Sequence, residues 1–168
     1  GYWSDLSAGI GIVHRRLAII DRSQAGEQPM VSSSGRFVLA FNGEVYNHVS
    51  LRNQLDLDGN QGQWLGLSDT ETLLMGFQAW GIEETLLRAT GMFAIAVWDR
   101  KLRSLTLARD RLGEKPLYYG YQGNGNKKTF LFGSDLAALR AHPAFEASIN
   151  RNALKKFIRY SCIGGADS

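Results

Sequence analysis

Three short stretches of this 168-residue chain set polar side chains where they could act on a small substrate. In His14-Arg15-Arg16, lying between two apolar runs, either guanidinium could clamp a carboxylate with two parallel hydrogen bonds, or serve only as a solvated ion at a strand end. Asn42-Gly43-Glu44 follows an apolar run, and the Asn-Gly dipeptide favours positive φ and a sharp chain reversal. Such a reversal would aim a side-chain amide and a backbone N–H at one point, the donor pair that an oxyanion hole requires, although an ordinary turn accounts for the same residues. Asp69 falls in the first turn of a helix opened by Ser68-Asp69-Thr70-Glu71, where the helix dipole favours a carboxylate and where it could also accept from a substrate ammonium.

Other chemistry finds less support. Cys162 sits at a helix exit with no local feature to depress its pKa, and His14, His48 and His142 lack metal-ligand spacing. The charged segment 108–118, Ala-Arg-Asp-Arg-Leu-Gly-Glu-Lys-Pro-Leu-Tyr, lacks the glycines and the following helix of a phosphate loop.

Strands are predicted at residues 9–13, 17–20 and 36–41, then at 92–98, 104–108, 117–121 and 129–133 as an antiparallel meander. Asn47 is expected to cap a short helix carrying Leu51 and Leu55. Residues 56–67 read as a polar, Gly-rich surface loop. The helix opened by Ser68 has Leu73, Leu74, Phe77 and Trp80 as its apolar stripe and Gly81 as its terminator. A second short helix runs through Leu86 and Leu87, and helices at 135–140 and 151–160 finish the chain, the last capped by Asn150. Strands grouped with strands and helices with helices imply a layered α+β fold.

Composition narrows the functions. The chain carries 44% apolar and 21% charged residues, ordinary for one globular unit, with a net charge of +3. Its Lys and Arg are scattered among Asp and Glu, which argues against a nucleic-acid partner. No apolar run reaches the roughly 20 residues that span a bilayer, which argues against a membrane partner. The single cysteine excludes an intrachain disulfide and suits a reducing cytoplasm.

The three stretches occur jointly and in order, within blocks that resemble the class II glutamine amidotransferase domain of glutamine-hydrolysing asparagine synthetases. Those blocks are HRRLAIID at 14–21, QPM at 28–30, FNGEVYN at 41–47, SDTE at 68–71, GMFAIAVWD at 91–99, ARDRLGEKPLYY at 108–119 and FGSDLAAL at 132–139. The resemblance implies an N-terminal nucleophile hydrolase fold: α+β, a four-layer αββα sandwich of two mainly antiparallel sheets, truncated at its N-terminus. It implies that an N-terminal cysteine attacks the glutamine side-chain amide, its own α-amino group acting as base, to give a thioester and release ammonia. Arg16 would hold the substrate α-carboxylate, Glu44 and Asp69 its α-ammonium, and the Asn42 side chain and Gly43 N–H would form the oxyanion hole.

The resemblance assigns residues 1–150 to the amidotransferase domain and 151–168 to a helix and linker leading to a synthetase domain. A segment holding the nucleophile would precede Gly1, and the chain by itself is expected to be inactive. No cofactor or metal is implied here; ATP and Mg²⁺ would belong to the synthetase domain, where aspartate is amidated. Glutamine and that domain are the implied partners, and a homodimer is compatible with the family. A non-catalytic scaffold and a different ammonia acceptor remain as alternatives.

Overall fold

The computed structural model describes residues 1–15, 26–59, 64–123, 125 and 128–163. The strand expected at 17–20 lies outside them, as does Arg16. The chain divides into two compact units, Gly1–Leu117 and Tyr118–Ser168.

In the first unit β1 (Tyr2–Asp5) and β2 (Ile10–Val13) form an antiparallel hairpin. β1 is unheralded by its sequence: Asp5 makes the turn by accepting from the Ser7 hydroxyl at 2.7 Å and the Ala8 amide at 3.2 Å. The central sheet runs in the order β3 (Met30–Val31), β4 (Phe37–Val45), β5 (Gly91–Asp99) and β6 (Ser104–Arg109), antiparallel throughout. Between β4 and β5 come α1 (His48–Leu57), α2 (Asp69–Ala79) and α3 (Ile82–Arg88).

Alternation along β4 and β5 decides what the sheet buries. Phe37, Leu39 and Phe41 of β4 and Phe93, Ile95 and Val97 of β5 join one buried cluster with Leu51 of α1 and Leu73, Leu74 and Phe77 of α2. Phe37 and Phe77 meet edge to face, ring centroids 6.1 Å apart. On the opposite face Val38, Ala94, Ala96 and Trp98 are buried too, so the sheet is covered on both sides. Among the described residues, hydrogen bonds tie the β1–β2 hairpin to this sheet: His14 Nε2 lies 3.1 Å from the Phe41 carbonyl, and Arg103 donates to the Ser7 carbonyl at 3.0 Å.

Several expectations are corrected. The reversal placed at Asn42-Gly43 does not occur: β4 continues through both residues, because Asn42 and Glu44 pair with Ala94 and Met92 on β5 and leave no slack for a turn. Asn47 does take the N-cap position of α1, but its side chain makes no cap hydrogen bond and instead joins the two ends of the α insertion, donating to the Arg88 carbonyl and accepting from the Thr90 amide. α1 runs on through Leu57, into the segment read as loop. Ser68 does cap α2, accepting from the Thr70 amide, but Glu71 reaches the Leu65 and Gly66 amides rather than closing a capping box. Gly81 ends α2 with φ of +88°, yet its ψ of 166° is extended rather than left-handed helical.

The meander also breaks, since among the described residues no ladder joins β6 to β7 (Tyr118–Gln122). Three consecutive charges bend the chain there. Arg109 donates to the carbonyls of Gly113 and Lys115, and Arg111 to those of Leu87 and Ala89 at the end of α3. Asp110, buried, accepts four backbone amides: Phe93 at 3.2 Å, Leu112 at 3.1 Å, Glu114 at 2.9 Å and Lys115 at 3.0 Å. The second unit holds β7, β8 (Thr129–Gly133), α4 (Leu136–Arg140) and α5 (Arg151–Tyr160). β7 and β8 pair antiparallel, Asp135 caps α4 and Asn150 caps α5.

Burial opposes ionisation of Asp110, but the amides of Glu114, Lys115, Phe93 and Gly113 outweigh it and hold the carboxyl down at about 2, against an ordinary 3.8. Asp99 is likewise lowered: burial works against its charge, while Arg36 and the amides of Leu102 and Lys101 prevail. Both carboxyls take up protons more readily in the unfolded chain. Their contribution is therefore complete above 3.8 and lost at lower pH, that of Asp110 as pH falls towards 2. Urea-unfolding midpoints measured across this range should fall steeply, and Asp110→Asn should flatten the fall.

Candidate active site

The candidate residues converge on the C-terminal end of β4, where the β4–β5 ladder sets the direction of each backbone group. The Tyr46 amide donates to the Thr90 carbonyl at 2.8 Å, and the Arg100 amide to the Arg36 carbonyl at 2.9 Å. In an antiparallel pair hydrogen-bonded positions alternate, so the even-numbered residues of β4 bond to β5 and the odd-numbered ones point outward. Phe41, Gly43 and Val45 are the outward set at this end.

Each neighbour on that outer edge has a side chain as partner. The Phe41 amide donates to Oε1 of buried Gln28 at 2.7 Å, and the Val45 amide to Oδ2 of Asp69 at 3.0 Å. Between them the Gly43 amide points off the same edge, and among the described residues nothing accepts from it. Along a strand it stands about 6.8 Å from the Val45 amide. The Asp69 carboxylate and the Gly43 N–H thus share one edge.

Gly43 cannot be any other residue in this setting. A Cβ built on it would lie 2.0 Å from the Met92 carbonyl oxygen and 2.7 Å from Phe93 Cα, both backbone atoms that cannot yield. β5 reciprocates at Gly91, whose Cβ would meet the Glu44 carbonyl oxygen at 2.1 Å. The two strands therefore leave no room for a Cβ where the candidate donor sits.

Asp69 is delivered by the cap of α2 and by Arg52. The Arg52 guanidinium donates to Thr72 Oγ1 at 2.8 Å and to the carbonyls of Gly66 and Ser68 at 2.8 and 2.9 Å, pairs with Glu71 at 3.1 Å, and stacks over Trp64. Its donors are aimed at the turn preceding α2, and Asp69 is buried with Oδ1 accepting from the Thr70 amide at 2.9 Å. Gln28 adds a second brace, donating from Nε2 to Thr70 Oγ1 at 3.3 Å.

Asn42 and Glu44 are half-buried, and their even-numbered positions turn both side chains to the sheet face opposite the helices. Acidic groups gather here. The Tyr46 phenol is raised above its usual value, first by burial and then by Glu114, Glu44 and Asp110, a local field that favours a cation over an anion. Of the five residues singled out from sequence, Asn42, Gly43, Glu44 and Asp69 thus come together at one strand end, and Arg16 is outside the described residues. Sequence reasoning did not single out Gln28, Arg52 or Asp110, each a polar residue whose importance lies in backbone groups distant along the chain. Among the described residues no group of three or more His, Cys, Asp or Glu is placed to hold a metal, and no helix is long and apolar enough to cross a membrane.

This arrangement has relatives. A family model described as glutamine amidotransferase domain matches residues 1–168, and the chain belongs to that family. It is 40% identical over 145 residues to asparagine synthetase [glutamine-hydrolyzing] 3 of Bacillus subtilis, covering 85% of this chain and 22% of the relative. It is 39% identical over 125 residues to asparagine synthetase B [glutamine-hydrolyzing] of Escherichia coli, covering 73% and 22%. The chain thus spans about a fifth of the length of these curated relatives. Among solved structures it is similar to the glutamine phosphoribosylpyrophosphate amidotransferase of B. subtilis, with a TM-score of 0.58 and 25% identity over 76% of this chain and 28% of that one. The fold is accordingly α+β of the N-terminal nucleophile hydrolase type.

Replacing Gly43 by alanine should force β4 and β5 apart and cost about 3 kcal/mol or more of stability. Equilibrium unfolding in urea measures this; a loss under about 1 kcal/mol would mean that the strands do not approach as closely as described.

Proposed function

We propose that the end of β4 is the glutamine site of a glutaminase domain, which supplies ammonia for the ATP- and Mg²⁺-dependent amidation of aspartate. The observation that carries this reading is the Gly43 amide, left without an acceptor on an edge shared with a buried carboxylate. Asn42 and Gly43 are the proposed oxyanion donors. Glu44 and Asp69 would meet the substrate α-ammonium, and Arg16 its α-carboxylate, so that both charged ends of glutamine are matched.

Attack of a cysteine thiolate on the side-chain amide carbon places negative charge on the amide oxygen. Two donors fixed beforehand stabilise that charge without reorganising, each contributing about 3 kcal/mol in the transition state. Collapse expels ammonia and leaves a thioester, which water then opens to glutamate. The nucleophile is proposed to lie upstream of Gly1, at the N-terminus of the polypeptide, so that this chain alone is inactive. Aspartate as acceptor is supported by the names of the relatives, and the synthetase domain that would bind ATP and Mg²⁺ is the proposed partner. Residues 151–168 would form the helix and linker leading to it. A cytoplasmic setting belongs to the same proposal and is supported by the lone thiol of Cys162.

The test is steady-state glutaminase kinetics on the full-length polypeptide that contains this chain. Asn42→Ala should lower kcat about a hundredfold while leaving KM nearly unchanged, because its amide acts on the transition state. Arg16→Ala should instead raise KM about tenfold or more, as should Asp69→Asn. Wild-type rates in both Arg16→Ala and Asn42→Ala would overturn the assignment.

A further inference from the structure

We propose that Asp110 is a positioning residue for the Gly43 amide, acting through Phe93, the β5 residue directly opposite. The role rests on the reading of Gly43 as an oxyanion donor. Gly43 and Phe93 are partners in register but form no mutual hydrogen bond, since the bonded positions are the even-numbered residues of β4. No hydrogen bond from β4 therefore reaches the Phe93 amide or carbonyl. Asp110 does so from the other side with two bonds: its own amide donates to the Phe93 carbonyl at 2.8 Å, and its carboxylate accepts from the Phe93 amide at 3.2 Å.

That second bond is unusual for a sheet. A continuing ladder would offer the Phe93 amide a backbone carbonyl, but β6 ends at Arg109 and the side chain of Asp110 takes the carbonyl's place. The same carboxylate accepts the amides of Leu112, Glu114 and Lys115, so a rigid turn holds it. The flanking arginines donate to carbonyls and leave the Asp110 carboxylate to the amides. Phe93 is in turn pressed against Gly43, its Cα 2.7 Å from where a Gly43 Cβ would stand. Movement of Phe93 by a few tenths of an ångström has to move Gly43, and donors in an oxyanion hole tolerate little displacement.

Asp110→Asn keeps one acceptor oxygen and loses the charge and the second. In the full-length polypeptide it should lower glutaminase kcat about tenfold with KM within about twofold, kcat being referred to the amount of folded enzyme because a general loss of folded protein lowers the apparent rate at constant KM. In the 15N-labelled full-length polypeptide the amide resonances of Phe93 and Gly43 should both shift, while those of Leu73 and Phe77 in α2 stay in place. A shift of Phe93 without Gly43, or an unchanged kcat in an active enzyme, overturns the proposal. Should the wild-type polypeptide hydrolyse no glutamine, the glutaminase reading fails by itself, and the paired resonance shift alone decides whether Asp110 sets Gly43. If Asp110→Asn does not fold, Asp110→Ser, which retains a single small acceptor, takes its place with the same readouts. Failure of both variants to fold makes the carboxylate a stability determinant and overturns the positioning role.

Discussion

The alternation of hydrogen bonds along the β4–β5 ladder governs the first compact unit. Because Asn42 and Glu44 are committed to β5, Gly43 between them has to turn its amide outward, and Val45 has to do the same two residues later. The outward amide of Val45 donates to the Asp69 carboxylate, that of Phe41 donates to Gln28, and that of Gly43 is left for something else. Side-chain alternation follows the same register. It places Phe37, Leu39 and Phe41 against the helices and leaves Asn42 and Glu44 on the other face. One pairing thus sets the core, the anchorage of α2 and the direction of the candidate donor.

Much of the fold was legible because its signals are local. Leu51 and Leu55 at i and i+4, the Ser68 cap with Leu73, Leu74 and Phe77 behind it, and the Asn150 cap each need only a few neighbouring residues to act. β8 was placed on its true bounds for the same reason. The misses share a different cause. Asn42-Gly43 has the local chemistry of a turn, but nine residues of ladder with β5 override it. Asn47 has the local chemistry of a cap, but its amide and carbonyl oxygen bridge the start and end of the helical insertion instead. β1 and β3 are too short for any periodicity and exist only through their partners.

The candidate site was legible to a lesser degree. Asn42, Gly43, Glu44 and Asp69 stand out by residue type and by lying in blocks that resemble a known family, and membership of the amidotransferase family is borne out by the match along the whole chain. What residue type could not convey is how they are held. Gln28 reads as an ordinary polar residue before a proline, Arg52 as a solvated helix charge, and Asp110 as one of a charged run. Each proves to be buried or half-buried, with its polar atoms on backbone groups far away in sequence. A side chain that replaces a backbone partner leaves no periodic trace, and only the closed register of the sheet reveals it.

Residue-resolved amide hydrogen exchange along β4 tests the central claim most directly. Phe41, Asn42, Glu44 and Val45 should be protected, the even-numbered pair by β5 and the odd-numbered pair by Gln28 and Asp69, while Gly43 between them exchanges fast. A Gly43 amide as slow as its neighbours would mean that it already has an acceptor, and the outward-facing donor on which the account rests would not exist.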